Sequence, residues 1–526
     1  MTPHQGAQFR ETTVRTPRFR LDERAGGILL HPTSLPGPHG SGDLGPPAQR
    51  FVDFLAAAGQ RWWQMLPVGP PGPGNSPYSA RSAFAGGPLL ISLDRLAEEG
   101  LLNPGDLTAT SALRSMRVAY PAVTQFRLAR LRKAYAASQG RKRAPAALEQ
   151  FCNDERDWLD DYALYAALRR AHGAREWLHW PRALRLRQPA ALRRARTELA
   201  DEIAFEQFCQ FQFHRQWQAL RRYANARGVG LIGDVPIFVA HDSADVWAHR
   251  ELFQLDADGR PRVVSGVPPD YFSRSGQLWG HPHYRWPRHR ATGFAWWLAR
   301  LRRTFAQFDA VRVDHFLGFH RVWAVSGRAR TARHGRWMRT PGAELLATVR
   351  RKLGRVEIIA EDLGVVTPAA TALRERYGFP GMRLLHFAFG NDAGDRYNQP
   401  HSYPRECVVY PGTHDNDTTV AWFEALRADA RQQRSGEVSP YERVLRYTGT
   451  SGREIHWDII RLAHASVANT AIIPLQDILG LGRAARMNQP GTPTGNWEWR
   501  APPGCLTDQL ADRLRDLAAA YDRWRR

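Results

Sequence analysis

The chain has 526 residues, of which 43% are hydrophobic, including 18 Trp and 23 Phe, so it is long enough to bury a large core and is expected to be globular. Its net charge of +22 raises nucleic acid as a partner, but Lys occurs only at 133, 142 and 352 and the Arg residues are scattered beside acidic ones, which indicates a compositional bias and argues against a polyanion-binding face. No segment approaches the roughly 18 apolar residues of a membrane span, and the four widely separated cysteines form no CxxC pair, so we expect a cytoplasmic protein with no membrane or nucleic-acid partner and no metal site.

Eight short apolar runs recur along the chain, each followed by a polar or Gly/Pro-rich turn and then by a segment with helical spacing. Continuous apolar runs that alternate with helices indicate parallel strands buried on both faces, and eight such units close a (β/α)8 barrel. A doubly wound open sheet is the alternative, but no run is followed by GxGxxG or a phosphate-binding loop. The predicted strands lie within residues 26–32, 61–70, 230–238, 308–316, 357–364, 381–389, 407–417 and 471–480.

Two intervals between these runs are too long for a single crossover. Residues from about 90 to 225 are predicted to form a mainly helical insertion, because segments such as "FEQFCQFQFHRQWQALRRYANARG" carry an aromatic stripe at helical spacing. Residues from about 239 to 300 are dense in Gly, Pro and aromatics and are predicted to form a loop-rich insertion, a kind of segment that is commonly functional. We therefore expect an N-terminal extension, 1–25, and one catalytic barrel, 26–526.

Carboxylates gather where the predicted strands end, which in a (β/α)8 barrel is the catalytic face. Several carboxylates in one pocket repel each other, so they are retained for metal binding or for divided acid and base roles. Arg312 lies on the same strand face as Asp314 and can keep it ionised, whereas a raised pKa would make Glu361 a proton donor; glycoside cleavage requires this division. The strand-end carboxylates are Asp234, Asp314, Glu361, Asp362, Asp415 and Asp417.

Each of these residues also has an ordinary structural interpretation. A single strand-end aspartate such as Asp234 is most often a helix N-cap, and His31, His315 or His414 taken alone is most often a hydrogen-bonded loop histidine. Four acidic strand ends together with Arg312 and His414 favour an active site over that interpretation.

Motifs at these positions resemble those of a known family. "GDVPIF", "RVDHF", "AEDLG" and "GTHDND" are similar to the four barrel-strand signatures of the α-amylase superfamily, in the form found in the 4-α-glucanotransferases called amylomaltases or disproportionating enzymes. The resemblance runs from about 26 to 505 and includes "SPYSARSAFAGGPLLI" and "MNQPGTPTGNWEWR". It implies a (β/α)8 TIM barrel with inserted subdomains and no C-terminal β-sandwich, which acts without cofactor or metal on maltooligosaccharides and other α-1,4-glucans.

The resemblance also implies roles for individual residues. Asp314 would be the nucleophile that forms a covalent glucosyl-enzyme, Glu361 the general acid and then base, and Asp415 the third catalytic carboxylate, which binds hydroxyls of the distorting sugar. The implied substrate-binding residues are Tyr78, Asp234, Asp270, Trp279, Gly280, Arg312, His414 and Asn488.

The implied reaction is transfer of a glucan segment to the 4-hydroxyl of another glucan with retention of configuration. A retaining pair requires the carboxylates of Asp314 and Glu361 to lie about 5 to 5.5 Å apart. The segment "GVPPDYFSRSGQLWG", with Tyr271 and Phe272 at its tip, is the predicted lid that keeps water from the intermediate. An amylase-like hydrolase on the same site is the alternative, and a non-catalytic glycan-binding barrel is a third interpretation.

Overall fold

A computed structural model of the chain describes residues 18–140, 144–269, 274–364, 366–390, 393–432 and 438–524. The strands of these residues form two sheets, a closed barrel and a separate four-stranded sheet. In chain order the strands are β1 Ala25–Leu29, β2 Trp62–Gln64, β3 Gly230–Pro236, β4 Val263–Val267, β5 Gln277–Pro282, β6 Ala310–Asp314, β7 Arg321–Ser326, β8 Gly335–Arg339, β9 Ile358–Ala360, β10 Gly381–Leu384, β11 Cys407–Tyr410 and β12 Thr470–Pro474.

The barrel closes through eight parallel strands in the order β1-β2-β3-β6-β9-β10-β11-β12, with β12 paired to β1. Each predicted apolar run overlaps one of these strands, so the prediction of a (β/α)8 barrel is confirmed and the open-sheet alternative is wrong. The barrel strands are buried almost throughout, as expected for parallel strands covered on both faces. Gly233 in β3 allows close packing, because a Cβ there would lie 2.5 Å from the Phe308 ring.

Helices surround the barrel and account for most of the chain between β2 and β3. The Trp62-Trp63 pair of β2 is fully buried, and Trp63 packs edge-on against Phe51 of the first helix with ring centroids 4.9 Å apart. The helices are α1 Pro46–Ala57, α2 Leu93–Glu98, α3 Tyr120–Gln139, α4 Ala144–Asp154, α5 Arg156–Ala171, α6 Arg182–Arg185, α7 Pro189–Glu198, α8 Ala200–Ala226, α9 Ala244–Ala248, α10 Trp286–Ala291, α11 Ala295–Gln307, α12 Gly342–Leu353, α13 Pro368–Arg376, α14 Thr419–Gln432, α15 Pro440–Thr448, α16 Ile455–Ala465, α17 Leu475–Ile478 and α18 Asp508–Ala520.

The second sheet is antiparallel and has the strand order β5-β4-β7-β8. Two of its strands, β4 and β5, lie in the interval for which the sequence predicted loops. They are short, each contains a glycine, and a register shift interrupts their pairing, so they lack the alternation that identifies a strand from sequence. Because β7 begins at Arg321, soon after β6 ends at Asp314, this sheet stands next to the end of β6.

Helices α2 to α8 occupy the interval predicted to be a helical insertion, and the division of the chain into a barrel with inserted subdomains stays a prediction. Of the predicted N-terminal extension the structure describes residues 18–25, where Phe19 packs on Trp62 with ring centroids 5.7 Å apart. None of the helices in the described ranges is long and apolar enough to cross a membrane.

Candidate active site

Strand register brings the predicted acids together at the C-terminal end of the barrel. Arg312 pairs with Asp234 across β6 and β3, and Val313 pairs with Ala360 across β6 and β9. The next residues, Asp314 and Glu361, therefore follow at the same height on neighbouring strands. Backbone bonds continue the pairing past the strand ends, with the Glu361 N–H 3.1 Å from the Val313 carbonyl oxygen.

Arg312 bridges two aspartates in the floor of the site. Its Nη1 donates to Asp234 Oδ2 at 2.6 Å and its Nη2 donates to Asp314 Oδ1 at 2.8 Å. Burial works against the charge of Arg312, but the two carboxylates outweigh burial and raise the pKa of the guanidinium. The expected contact between Arg312 and Asp314 is present, and Asp234 anchors the other side of the guanidinium.

Removing this cation is expected to destabilise the protein. Arg312→Ala leaves the Asp234 side chain, which is 1% exposed, without its counter-charge, and breaking a buried ion pair costs about 3–5 kcal/mol. The measurement is the urea concentration at the midpoint of unfolding, which should fall while the slope of the unfolding free energy against urea concentration stays unchanged. The matched control is Arg290→Ala, which breaks the exposed pair with Glu344 and should leave the midpoint nearly unchanged; equal midpoints for the two variants would contradict this account.

Glu361 is buried, and backbone N–H groups hold both of its carboxyl oxygens. His315 N–H donates to Oε2 at 2.7 Å and Leu363 N–H donates to Oε1 at 2.8 Å. Burial, and then the charge of Asp314, raises the pKa of Glu361 to about 8, although Arg312 and the two N–H bonds oppose the shift. The carboxyl group is thus protonated near neutral pH while its neighbour Asp314 contacts a cation.

Three aromatic rings form one wall of the site. Tyr78 stacks on His414 with ring centroids 5.0 Å apart, and Trp497 packs against both rings at 5.8 and 5.9 Å. The Tyr78 hydroxyl donates to Asp234 Oδ2 at 2.7 Å, which ties this wall to the Arg312 cluster. Burial lowers the pKa of His414, so its imidazole is neutral near neutral pH.

Trp497 was not predicted as a site residue. It belongs to the quoted motif "MNQPGTPTGNWEWR", but its place behind Tyr78 depends on a left-handed backbone conformation, with φ of +65°, that no periodicity indicates. Backbone bonds hold that conformation: Trp497 N–H donates to the Met487 carbonyl at 2.8 Å, and the Tyr120 hydroxyl donates to the Trp497 carbonyl at 2.9 Å.

Asp415 lies next to His414 and is fixed from the segment that follows β12. Asn488 Nδ2 donates to Asp415 Oδ1 at 2.6 Å, and His414 Nε2 lies 3.3 Å from the same oxygen. Arg486 Nη2 donates to the Asp415 backbone carbonyl at 2.7 Å. The carboxylate side chain is 45% exposed and can therefore reach a ligand in the cleft.

The antiparallel sheet contributes Trp279 and Gly280, both in β5. The Trp279 ring meets the His315 ring edge-on, with centroids 4.9 Å apart, which places it beside the end of β6. Gly280 has a φ of +78°, a conformation that favours glycine. The predicted site residue Asp270 and the lid residues Tyr271 and Phe272 lie outside the described residues.

Two strand-end acids have partners away from this cluster. Asp362 is buried against Arg374, with Nε 3.3 Å from Oδ2, and accepts the Met382 N–H at 2.8 Å. Asp417 pairs with Arg483, whose Nε lies 3.1 Å from Oδ2. Neighbouring residues at a strand end point in different directions, which is why the ring of acids expected from sequence includes fewer members in the structure. Within the described ranges no group of three or more His, Cys, Asp or Glu side chains is arranged to hold a metal ion.

Residues 30–507 match the family model described as 4-alpha-glucanotransferase, of glycoside hydrolase family 77. The 4-alpha-glucanotransferase of Synechocystis sp. is 48% identical, with 96% of this chain and 99% of the relative covered, and that of Thermus thermophilus is 46% identical, with 95% and 99% covered. A solved structure of amylomaltase from Streptococcus agalactiae in complex with acarbose superposes with a TM-score of 0.91 at 37% identity, covering 96% of this chain and 100% of that one.

Proposed function

The chain belongs to the family of 4-alpha-glucanotransferases and is an enzyme that transfers α-1,4-glucan segments, and we propose that it does so by a retaining double displacement with Asp314 as nucleophile and Glu361 as acid and base. The observation that carries this proposal is the pairing of Val313 with Ala360, which sets Asp314 and Glu361 side by side. The Asp314 side chain is partly exposed, whereas Glu361 is buried. Neighbouring strands lie about 4.8 Å apart, and this spacing supports a distance of about 5 to 5.5 Å between the two carboxyl groups, as a retaining pair requires.

In the first displacement Glu361 gives its proton to the glycosidic oxygen while Asp314 attacks the anomeric carbon. The raised pKa of Glu361 supports its role as donor, because the group still holds its proton at neutral pH. The contact from Arg312 supports the role of Asp314, because a carboxylate needs its negative charge to act as a nucleophile. The leaving glucan departs with the proton, and a covalent glucosyl-Asp314 ester remains.

In the second displacement Glu361, now ionised, takes the proton from the 4-hydroxyl of an acceptor glucan, whose oxygen attacks the anomeric carbon and releases Asp314. Asp415, held by Asn488 and beside His414, is proposed to bind hydroxyls of the reacting sugar. Tyr78 is proposed to stack on that sugar, and Trp279 with Gly280 to line the cleft from the antiparallel sheet. No step requires a metal or an organic cofactor.

Maltotriose alone tests the proposed function. Transfer between two maltotriose molecules is expected to give free glucose and a ladder of oligomers longer than the substrate. The reason is that the glucosyl-enzyme reacts with a sugar hydroxyl in preference to water. Products are resolved by length over time. Glucose and maltose alone would show that water is the acceptor and would favour the hydrolase alternative.

We also propose the substrates and the location of the protein. The substrates are neutral maltooligosaccharides, which are recognised by hydrogen bonds and stacking, so transfer should persist at salt concentrations that abolish any binding of DNA to the scattered arginines. A cytoplasmic location is proposed because all four cysteines are unpaired, as is usual in a reducing compartment.

A further inference from the structure

Strand β5 carries a bulge that faces the active site. Its register with β4 pairs Val264 with Pro282 and Gly266 with Leu278, so three residues of β5, Trp279 to His281, oppose one residue of β4. Gly280 at the centre of the bulge has a φ of +78°, and a Cβ there would meet nothing within 4 Å, so the backbone conformation is what requires glycine. Bulges of this kind redirect side chains and are common next to active sites.

Trp279 is the first residue of this bulge, and its ring contacts the ring of His315. The two rings meet nearly at right angles, at 84°, with centroids 4.9 Å apart. His315 is the residue that follows the nucleophile, and its backbone is left-handed, with φ of 53° and ψ of 49°. That conformation costs a residue other than glycine roughly 1–2 kcal/mol, so contacts around it must hold it in place.

The left-handed conformation of His315 directs its N–H to the proton donor. The N–H donates to Glu361 Oε2 at 2.7 Å, whereas the other oxygen takes the N–H of Leu363 from its own loop. One of the two bonds that fix the carboxyl group of Glu361 therefore depends on a strained residue whose ring is held from another sheet.

We propose that His315 is a positioning residue for Glu361, and that Trp279 holds His315 in the conformation that this role requires. The proposal rests on the proposed function, because it assumes that Glu361 is the acid and base. The antiparallel sheet thereby does more than cover the cleft: its bulge sets the orientation and the proton affinity of the group that donates the proton.

The sign of the effect follows from the hydrogen bond. An N–H that donates to a carboxylate stabilises its ionised form and lowers the pKa of the group. The charged and titratable groups around Glu361 are Asp314 and Arg312 on β6, the imidazole of His315, and His281 on β5, which interacts electrostatically with Asp314. If those charges stay in place and the His315 bond is lost, the pKa of Glu361 rises further.

The test is the pH dependence of kcat/KM on maltotriose for Trp279→Ala, His315→Ala and the double variant. The alkaline limb, where the donor loses its proton, is expected to move up by about 1 pH unit in each single variant, since a hydrogen bond to a charged group is worth about that much. The double variant should move it no further, because both changes remove the same bond. Glycine adopts the left-handed conformation without strain, so His315→Gly should keep the N–H directed at Glu361 and leave the limb near its wild-type position.

Two matched variants complete the experiment. Trp279→Phe keeps a ring against His315 and should leave the limb near its wild-type position. Trp337→Ala removes a tryptophan from β8 at the outer edge of the same sheet, 39% exposed, and should also leave it unchanged. An unmoved limb in Trp279→Ala, with KM alone raised, would mean that Trp279 only contacts substrate and would overturn the proposal. Glu361→Gln distinguishes failure of this proposal from failure of the proposed function. If this variant keeps the alkaline limb, Glu361 is not the proton donor and the proposed function fails as well.

Discussion

Replacing Asp314 by Asn is expected to lower the rate of transfer from maltotriose by about 10⁴-fold or more, because the amide cannot form the ester on which both displacements depend. Asp314 is part of the Arg312 cluster, and its side chain is one-third exposed, so the substitution is not expected to unfold the chain. The measurement is the initial rate of glucose release, on protein whose thermal unfolding matches the wild type. Activity within tenfold of wild type would contradict the assignment.

The stereochemistry of a rescue reaction separates loss of the nucleophile from general damage. In Asp314→Gly, azide can enter the space of the missing carboxylate and displace fluoride from α-maltosyl fluoride in one step, which inverts the anomeric carbon and gives the β-azide. Two successive displacements would give the α-azide instead. We expect the β-azide from Asp314→Gly, with no such product from Arg290→Ala, which changes only a surface ion pair.

Replacing Glu361 by Gln is expected to lower transfer from maltotriose by about 10³-fold, because the leaving sugar oxygen then departs without a proton. Formation of the glucosyl-enzyme from α-maltosyl fluoride should be much less affected, since fluoride needs no proton to leave. Comparison of the two donors in the same variant therefore tests the acid role itself. Equal losses on both donors would indicate that the substitution disturbs the site as a whole.

The pH profile gives a second measure of this role. The pKa of Glu361 lies near 8, so wild-type kcat/KM should fall as pH rises through that value and the donor loses its proton. Gln cannot ionise, and the remaining activity of Glu361→Gln should lack this alkaline limb. The limb is retained only if another group is the proton donor.

The barrel could be predicted because its strands are local apolar runs that parallel pairing buries on both faces. Every predicted run overlaps a barrel strand, and the strand ends carry Asp314 and Glu361 to the same edge, as expected. The antiparallel sheet could not be predicted in the same way. Its strands gain their stability from pairing over long sequence separations, as between Val264 and Val325, and their own residues show little alternation.

Side-chain direction limited the prediction of the site. Asp362 directly follows Glu361, yet its side chain pairs with Arg374. The position of the two residues at the strand end does not show which of them faces the site. His315 resembled an ordinary loop histidine, because its importance depends on a left-handed backbone and on Trp279 from a distant strand. Trp497 depends in the same way on a positive φ. Each of these features is a tertiary constraint without a periodic signal.

The most direct test of the proposed mechanism is to locate the covalent intermediate. Glu361→Gln is mixed with maltotriosyl fluoride, quenched with acid within seconds and digested, and the peptides are examined by mass spectrometry. The substitution slows the second displacement, so the glucosyl-enzyme should accumulate, and the added maltotriosyl mass is expected on the carboxylate of Asp314. An adduct on another carboxylate such as Asp415, or release of inverted product with no adduct, would contradict the mechanism.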